Sequence, residues 1–290
     1  MHYIKQKREK VDYCNICGSF QTLTWDHVPP KSTLLEPDTI SNTIFKGMPT
    51  ESKHMKHYQS GIKYRTVCAN CNNVVLGQND DAYKEFVLEV RKQLAEIPSK
   101  YLETGESQNT IVVKAKINRV LRSICGHFLA MKEFYDSETV TDRQLREYVL
   151  DTGSRLESFE EVNLFCWFYP YPTVFSFRDI VVTGGQELSH PKGFISGISS
   201  YPLGYLLSSI DESGCYVDNL GVYSTTIIDE EVQICLHLNT VYYANTMLAK
   251  ELNWPANILS GQLGAQAALA SNRIIEGSRL GVPKKKGIWV

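Results

Sequence analysis

The chain has 290 residues, 43% of them apolar and 21% charged, with a formal net charge of −2. This balance excludes a disordered or low-complexity chain and leaves room for one large domain or two modest ones with a sizeable core. No apolar run reaches the roughly 18 residues a membrane span needs, and Met1-His2-Tyr3-Ile4-Lys5 lacks the apolar stretch of a signal peptide, so a cytoplasmic protein with no membrane partner is expected.

The charge is unevenly spread. Up to residue 75, ten Lys/Arg face six Asp/Glu and leave that stretch at +4; the remainder, with twenty and twenty-six, stands at −6. A basic module on an acidic body suggests that a polyanion meets the N-terminal end, although a solvated basic surface accounts for it equally well.

In chain order, a basic arm runs to about Lys10, and Tyr13 to Gly18 reads as a metal knuckle. Thr22 to Val28 is rich in β-branched and aromatic residues and reads as a strand, stopped by Pro29-Pro30. Residues 32–65 form a polar insertion, read as a long loop with little core of its own. Tyr64 to Val67 leads into a second knuckle. Asn79 or Asp80 is a plausible N-cap for an amphipathic helix carrying Tyr83, Phe86, Val87, Val90 and Leu94, ended by Ile97-Pro98-Ser99.

A second region follows. Thr110 to Lys116 alternates like a strand, and Asn118 to Phe134 reads as a helix with Val120, Leu121, Ile124, Phe128 and Leu129 inward. Thr141 to Leu150 reads as a short helix capped by Thr141 or Asp142. From Asn163 to about Tyr243 the pattern is strand-like, with turn signals at Gly184-Gly185 and Asp218-Asn219, and helical character returns near Ala244 to Leu252. The boundary between the two regions is expected at Ser99 to Ser107. Residues 1–100 and 101–290 are thus read as two domains.

Two Cys-x-x-Cys pairs, Cys14/Cys17 and Cys68/Cys71, flank the strand. Each tight turn presents two sulfurs, and zinc takes four ligands tetrahedrally, so the spacing points to structural Zn²⁺. In a reducing compartment such pairs favour metal over disulfide. The other four, Cys125, Cys166, Cys215 and Cys235, lack paired spacing and sit in apolar contexts that suit core residues.

Asp26 and His27 lie between the knuckles, and Asn72 directly follows the last cysteine. Mg²⁺ or Mn²⁺ prefers oxygen ligands, which the Asp26 carboxylate and the Asn72 carboxamide offer. His27 titrates near neutrality and suits removal of a proton from water. Adjacent strand residues point to opposite faces, so Asp26 and His27 reach one centre only where the strand is bent. His27 as a zinc ligand or a satisfied core histidine is the competing reading.

These residues carry a family resemblance. Cys14-x-x-Cys17, Asp26-His27-Val28-Pro29-Pro30-Lys31 and Cys68-Ala69-Asn70-Cys71-Asn72 resemble the HNH, or ββα-metal, endonucleases, particularly the branch like phage endonuclease VII. The resemblance spans residues 13–95. It implies a small zinc-stabilised ββα-metal domain; with the helix and strand patterns read after it, the chain is expected to be α+β, that domain followed by a larger mixed α+β domain. It also implies His27 as general base and Asp26 and Asn72 on the catalytic metal, with Asn73 a second candidate. The chain departs from the family in its long insertion, where Asn42 is the candidate for the loop-bracing asparagine. Asp80 and Asp81 suit a helix start better than a metal.

The implied activity is hydrolysis of phosphodiester bonds in DNA, double-stranded by preference, with Lys31, Lys53, Lys56, Lys63 and Arg65 as phosphate contacts. By analogy such modules belong to bacterial defence or mobile elements. A non-catalytic zinc-stabilised nucleic-acid-binding module and an RNA-cleaving toxin are the alternatives. Residues 101–290 show no second active site and are expected to bind a regulatory protein partner or form a homodimer.

Overall fold

The computed structural model of the chain describes residues 8–34, 38–43, 56–59, 63–105, 109–132, 134–160, 162–169, 173–183, 191–209, 218–238 and 268–271. They form a mixed α+β fold. The strands are β1 (Val11–Tyr13), β2 (Phe20–His27), β3 (Asp38–Thr43), β4 (Lys56–Gln59), β5 (Lys63–Cys68), β6 (Thr110–Lys116), β7 (Asn163–Phe168), β8 (Thr173–Thr183), β9 (Pro191–Ser200), β10 (Leu203–Ser208), β11 (Asp218–Asn219), β12 (Glu231–His237) and β13 (Ala268–Ser271). The helices are α1 (Gly77–Thr104), α2 (Ile117–Ala130) and α3 (Val140–Leu150).

Three antiparallel sheets result. The smallest pairs β12 with β6, the next has the order β1-β2-β5, and the largest has the order β11-β7-β10-β9-β8-β13-β3-β4. The insertion after β2 is therefore not the structureless loop expected from its polar sequence. It contributes β3 and β4, and β3 pairs with β13, more than 220 residues along the chain. Backbone pairing with so distant a partner leaves no alternation to read.

The helix after the second knuckle starts earlier than expected. A wide helical turn over Cys71–Leu76 runs directly into α1, so Asn79 and Asp80 lie inside a helix and not at its cap. Asn79 instead donates its side-chain amide to the Val75 carbonyl at 2.7 Å. The helix also continues past Pro98 to Thr104. Pro98 is exposed, and solvent can take the carbonyl that proline leaves unserved.

Helix α2 is the central element. Every residue from Ile117 to Ala130 except Arg119 is buried, including Asn118, Arg122, Ser123 and His127. Its close approach to the start of α1 depends on Gly126, where a Cβ would stand 2.3 Å from Leu76 Cδ2. One hydrophobic cluster joins Leu23 and Val67 of the small sheet, Phe86 and Val90 of α1, Ile124 and Phe128 of α2, Leu207 of β10 and Ile234 of β12. The boundary expected near residues 99–107 falls at the end of α1, and buried residues on both sides of it belong to this cluster.

Strand β7 is buried almost throughout and does not alternate, because the sheet is covered on both faces there. Asp218-Asn219, expected as a turn, forms the short edge strand β11. The helical character expected near residues 244–252, the turn at Gly184-Gly185 and Cys215 lie outside the described residues. Among the described residues, no helix is long and apolar enough to cross a membrane.

Candidate functional site

The four knuckle cysteines converge. Their sulfur atoms all lie within 4.8 Å of one another, and Cys17 Sγ is 3.9 Å from Cys68 Sγ. Zinc–sulfur bonds of about 2.3 Å place tetrahedral ligands about 3.8 Å apart, so the cluster has the dimensions to take such an ion. The first knuckle closes by the Gly18 N–H donating to the Cys14 carbonyl at 2.8 Å. Gly18 has φ +70°, and a Cβ there would meet the Tyr135 hydroxyl at 2.7 Å. The backbone N–H of Cys68 donates to Cys14 Sγ at 3.3 Å and that of Cys71 to Cys68 Sγ at 3.4 Å, contacts that favour thiolates.

The shared protons among these sulfurs pull the ionisations apart. A hydrogen bond from Cys71 brings the Cys14 thiol down to about 5, and the same bond pushes Cys71 up. Burial raises Cys68. A cation at the centre relieves this competition by stabilising every thiolate together. Of the remaining cysteines, Cys125 and Cys166 are buried and Cys235 is partly so, with burial pushing Cys125 up to about 12 against the pull of the Arg122 guanidinium.

The second group of residues meets at the end of β2. A β-bulge between Thr24 and Trp25 shifts the pairing with β5. It changes which side chains face inward: Leu23 is buried, Trp25 is exposed and Asp26 is buried again. Regular alternation from Leu23 would have turned Trp25 inward and Asp26 outward. The irregularity thus lies just upstream of the Asp-His pair. Asn72, on the first turn after the second knuckle, spans the bulge. Its side-chain amide donates to Thr24 Oγ1 at 3.1 Å and to the Trp25 carbonyl at 2.9 Å. Both bonds use its nitrogen, which leaves Oδ1 as the atom able to face a cation.

Asp26 Oδ1 accepts the His27 backbone N–H at 2.9 Å, and Oδ2 lies 3.2 Å from His127 Nδ1. Each oxygen still has a lone pair for a further ligand. His27 is half-buried, and its Nε2 is a buried atom without a hydrogen-bond partner. Burial, followed by the Lys63 ammonium paired with it across the ladder, pulls the His27 imidazole below its usual range. The ring is therefore neutral near pH 7, the form that can accept a proton.

His127 was not singled out from the sequence. It is fully buried, and its other ring nitrogen, Nε2, lies 3.0 Å from Asp80 Oδ1, which also accepts from Ser123 Oγ at 2.7 Å. Burial pushes this imidazole down, but the carboxylates, Asp80 first and then Asp26, outweigh it and hold it up at about 10. The signal was present in α2: His127 stands three residues after Ile124 and seven after Val120, on the apolar face.

The other expected residues separate into three groups. Lys31 is exposed in the turn after β2, and Lys63 and Arg65 are half-buried on β5. The Arg65 guanidinium lies over the Trp25 ring, 5.4 Å from its centroid, and donates to the Arg8 carbonyl. Asn73 is exposed one residue beyond Asn72, and Asp81 is exposed on α1. Lys56 and Asn42 lie on β4 and β3, whose side chains are not described, and Lys53 lies outside the described residues.

No family model, curated protein or solved structure matches the chain.

Proposed function

We propose that the protein is a metal-dependent endonuclease of the HNH class that hydrolyses phosphodiester bonds in DNA. The observation carrying this reading is that Asn72 reaches across 48 residues of sequence to Thr24 and bonds the stretch of β2 that carries Asp26 and His27, beside a cluster of four cysteines. The order of elements around them supports it, since an antiparallel pair, β2 and β5, leads into a helix. Zn²⁺ at Cys14, Cys17, Cys68 and Cys71 would be structural. Asp26 and the Asn72 carboxamide oxygen would hold Mg²⁺ or Mn²⁺, which when bound neutralises charge on the phosphate and on the leaving oxygen.

His27 Nε2 accepts a proton from the attacking water. The water oxygen forms its bond to phosphorus as the bond to the ester oxygen breaks, and the departing oxygen takes up a proton from solvent. Lys31 and Lys63 flank His27 and attract the phosphate backbone; after burial, the Lys63 ammonium also helps to keep the imidazole neutral. Nothing in this set of residues reads base edges, so sequence preference is weak.

Supercoiled plasmid incubated with purified protein tests the reading. Nicking is expected with Mg²⁺ or Mn²⁺ and not with EDTA. His27→Ala is expected to lose on the order of 10²-fold or more in rate with zinc content unchanged. Unchanged cleavage by that variant sinks the assignment, salt-sensitive binding without nicking favours a non-catalytic module, and cleavage of RNA alone favours a ribonuclease.

A further inference from the structure

We propose that His127 is the positioning residue for Asp26, so that the carboxylate of the N-terminal site is held by a histidine from outside the segment that resembles a nuclease. The inference rests on the reading of Asp26 as a metal ligand. It goes further by making the site dependent on the region whose role the sequence left unassigned.

The geometry has three parts. His127 sits between two carboxylates on separate elements, Asp26 on β2 and Asp80 on α1, with one ring nitrogen toward each. Ser123, one turn earlier on α2, donates to the same Asp80 oxygen that faces His127. The end of α2 is tied to the first knuckle and to β5 through Asn15 and Thr66, whose side chains donate to the carbonyls of Leu129 and Ala130. Helix α2 can therefore neither rotate nor slide without breaking these bonds, and His127 meets Asp26 at a set angle.

A packing role does not account for this arrangement. Three ionisable groups in a largely buried position cost more than apolar side chains of similar volume. What the arrangement provides is orientation. Carboxylates and imidazoles that bind metal are commonly oriented by a second set of hydrogen-bonded groups, and loss of such a partner weakens metal binding tenfold to a hundredfold. Without His127, the buried Asp26 carboxylate would keep no donor beyond its neighbour's backbone N–H, and nothing would fix its orientation.

The test is Mn²⁺ binding to the zinc-loaded full chain, followed by electron paramagnetic resonance, in wild type, Asp26→Asn, His127→Ala and Asp80→Ala. Asp26→Asn is expected to abolish tight binding. His127→Ala is expected to weaken it at least tenfold, and Asp80→Ala severalfold, with zinc content and circular dichroism unchanged in each. In plasmid nicking, the half-saturating Mn²⁺ concentration is expected to rise in the latter two, while the rate at saturating Mn²⁺ stays within a few-fold of wild type. Wild-type affinity in a folded His127→Ala protein overturns the proposal, as does absence of Mn²⁺ binding by wild type. If His127→Ala loses zinc, Asp80→Ala decides alone: unchanged affinity there overturns the proposal. Mn²⁺ binding with the expected ranking but no nicking by wild type overturns the nuclease reading and leaves the positioning role standing.

Discussion

The side-chain amide of Asn15, inside the first cysteine knuckle, donates to the carbonyl of Leu129 at 3.0 Å. It also donates to the Lys132 carbonyl at 2.6 Å, while Thr66 Oγ1 donates to the Ala130 carbonyl at 2.6 Å. The last carbonyls of a helix have no partner within it, and here the cysteine module supplies their donors. The sulfur cluster and the helix bearing His127 are thereby parts of one construction.

Replacing Asn15 by Ala takes the side-chain donor from the Lys132 carbonyl and from the Leu129 carbonyl, which keeps only the Lys132 N–H, and removes one of the acceptors of the Arg8 guanidinium. The expected loss is about 1–3 kcal/mol of unfolding free energy. Thr66→Val removes a single bond and is expected to cost about 1 kcal/mol. Urea unfolding at unchanged m-value checks both. A loss under a few tenths of a kcal/mol for Asn15→Ala would mean that water replaces it.

Gly126→Ala forces a methyl into contact with Leu76. The cost of such overpacking is about 1–3 kcal/mol, and it falls on the residue next to His127. Shortening the obstructing side chain should relieve it. The double variant Gly126→Ala/Leu76→Ala is expected to be less destabilised than the two single changes added together, and thermal melts of the four proteins measure that coupling.

Removing the ion that the four cysteines can bind is expected to unfold the first knuckle and release the end of α2. Purified protein should carry stoichiometric zinc, and a strong chelator should lower its melting temperature. Cys71→Ser should lose the metal, whereas Cys125→Ala, in the core of α2, should keep it. Cobalt in place of zinc should show the absorption of tetrahedral thiolate ligation.

A buried ion cluster joins α3 to the large sheet. Asp142 bridges Lys132 and Arg178, and Lys132 also reaches Asp136 at 2.9 Å and Asp179 at 3.4 Å. Asp142→Ala leaves two buried cations short of a partner, and the expected cost is about 3–5 kcal/mol. Lys132→Met/Asp142→Leu should recover part of it, since one cation leaves with its carboxylate and Arg178 keeps Asp179 as a partner. Denaturant midpoints of the single and double variants distinguish the two.

Much of the local structure was legible before any coordinates. The alternation of Thr110 to Lys116 became β6, and the apolar spacing around Val120, Ile124 and Phe128 became α2 with those side chains buried. Both patterns depend on which face meets the core, and that is written residue by residue. The polar strands β3 and β4 were not legible, because their pairing is a backbone matter settled by a strand near the other end of the chain. The passage of α1 through Pro98 likewise overrides a local stop signal.

For the site, the division is sharper. The sequence by itself determined that four cysteines stand in two knuckles, since a Cys-x-x-Cys turn is closed by bonds within a few residues. It also determined that Asp26, His27 and Asn72 lie next to those knuckles. Only the tertiary structure decided which way Asp26 faces, because the pairing of β2 with β5 skips Thr66 and the alternation of β2 breaks between Thr24 and Trp25. Only it decided that the carboxylate meets His127, 101 residues away. A histidine on an apolar helical face has no local pattern to reveal its partner; the partner is chosen by how α2 packs between β2 and α1.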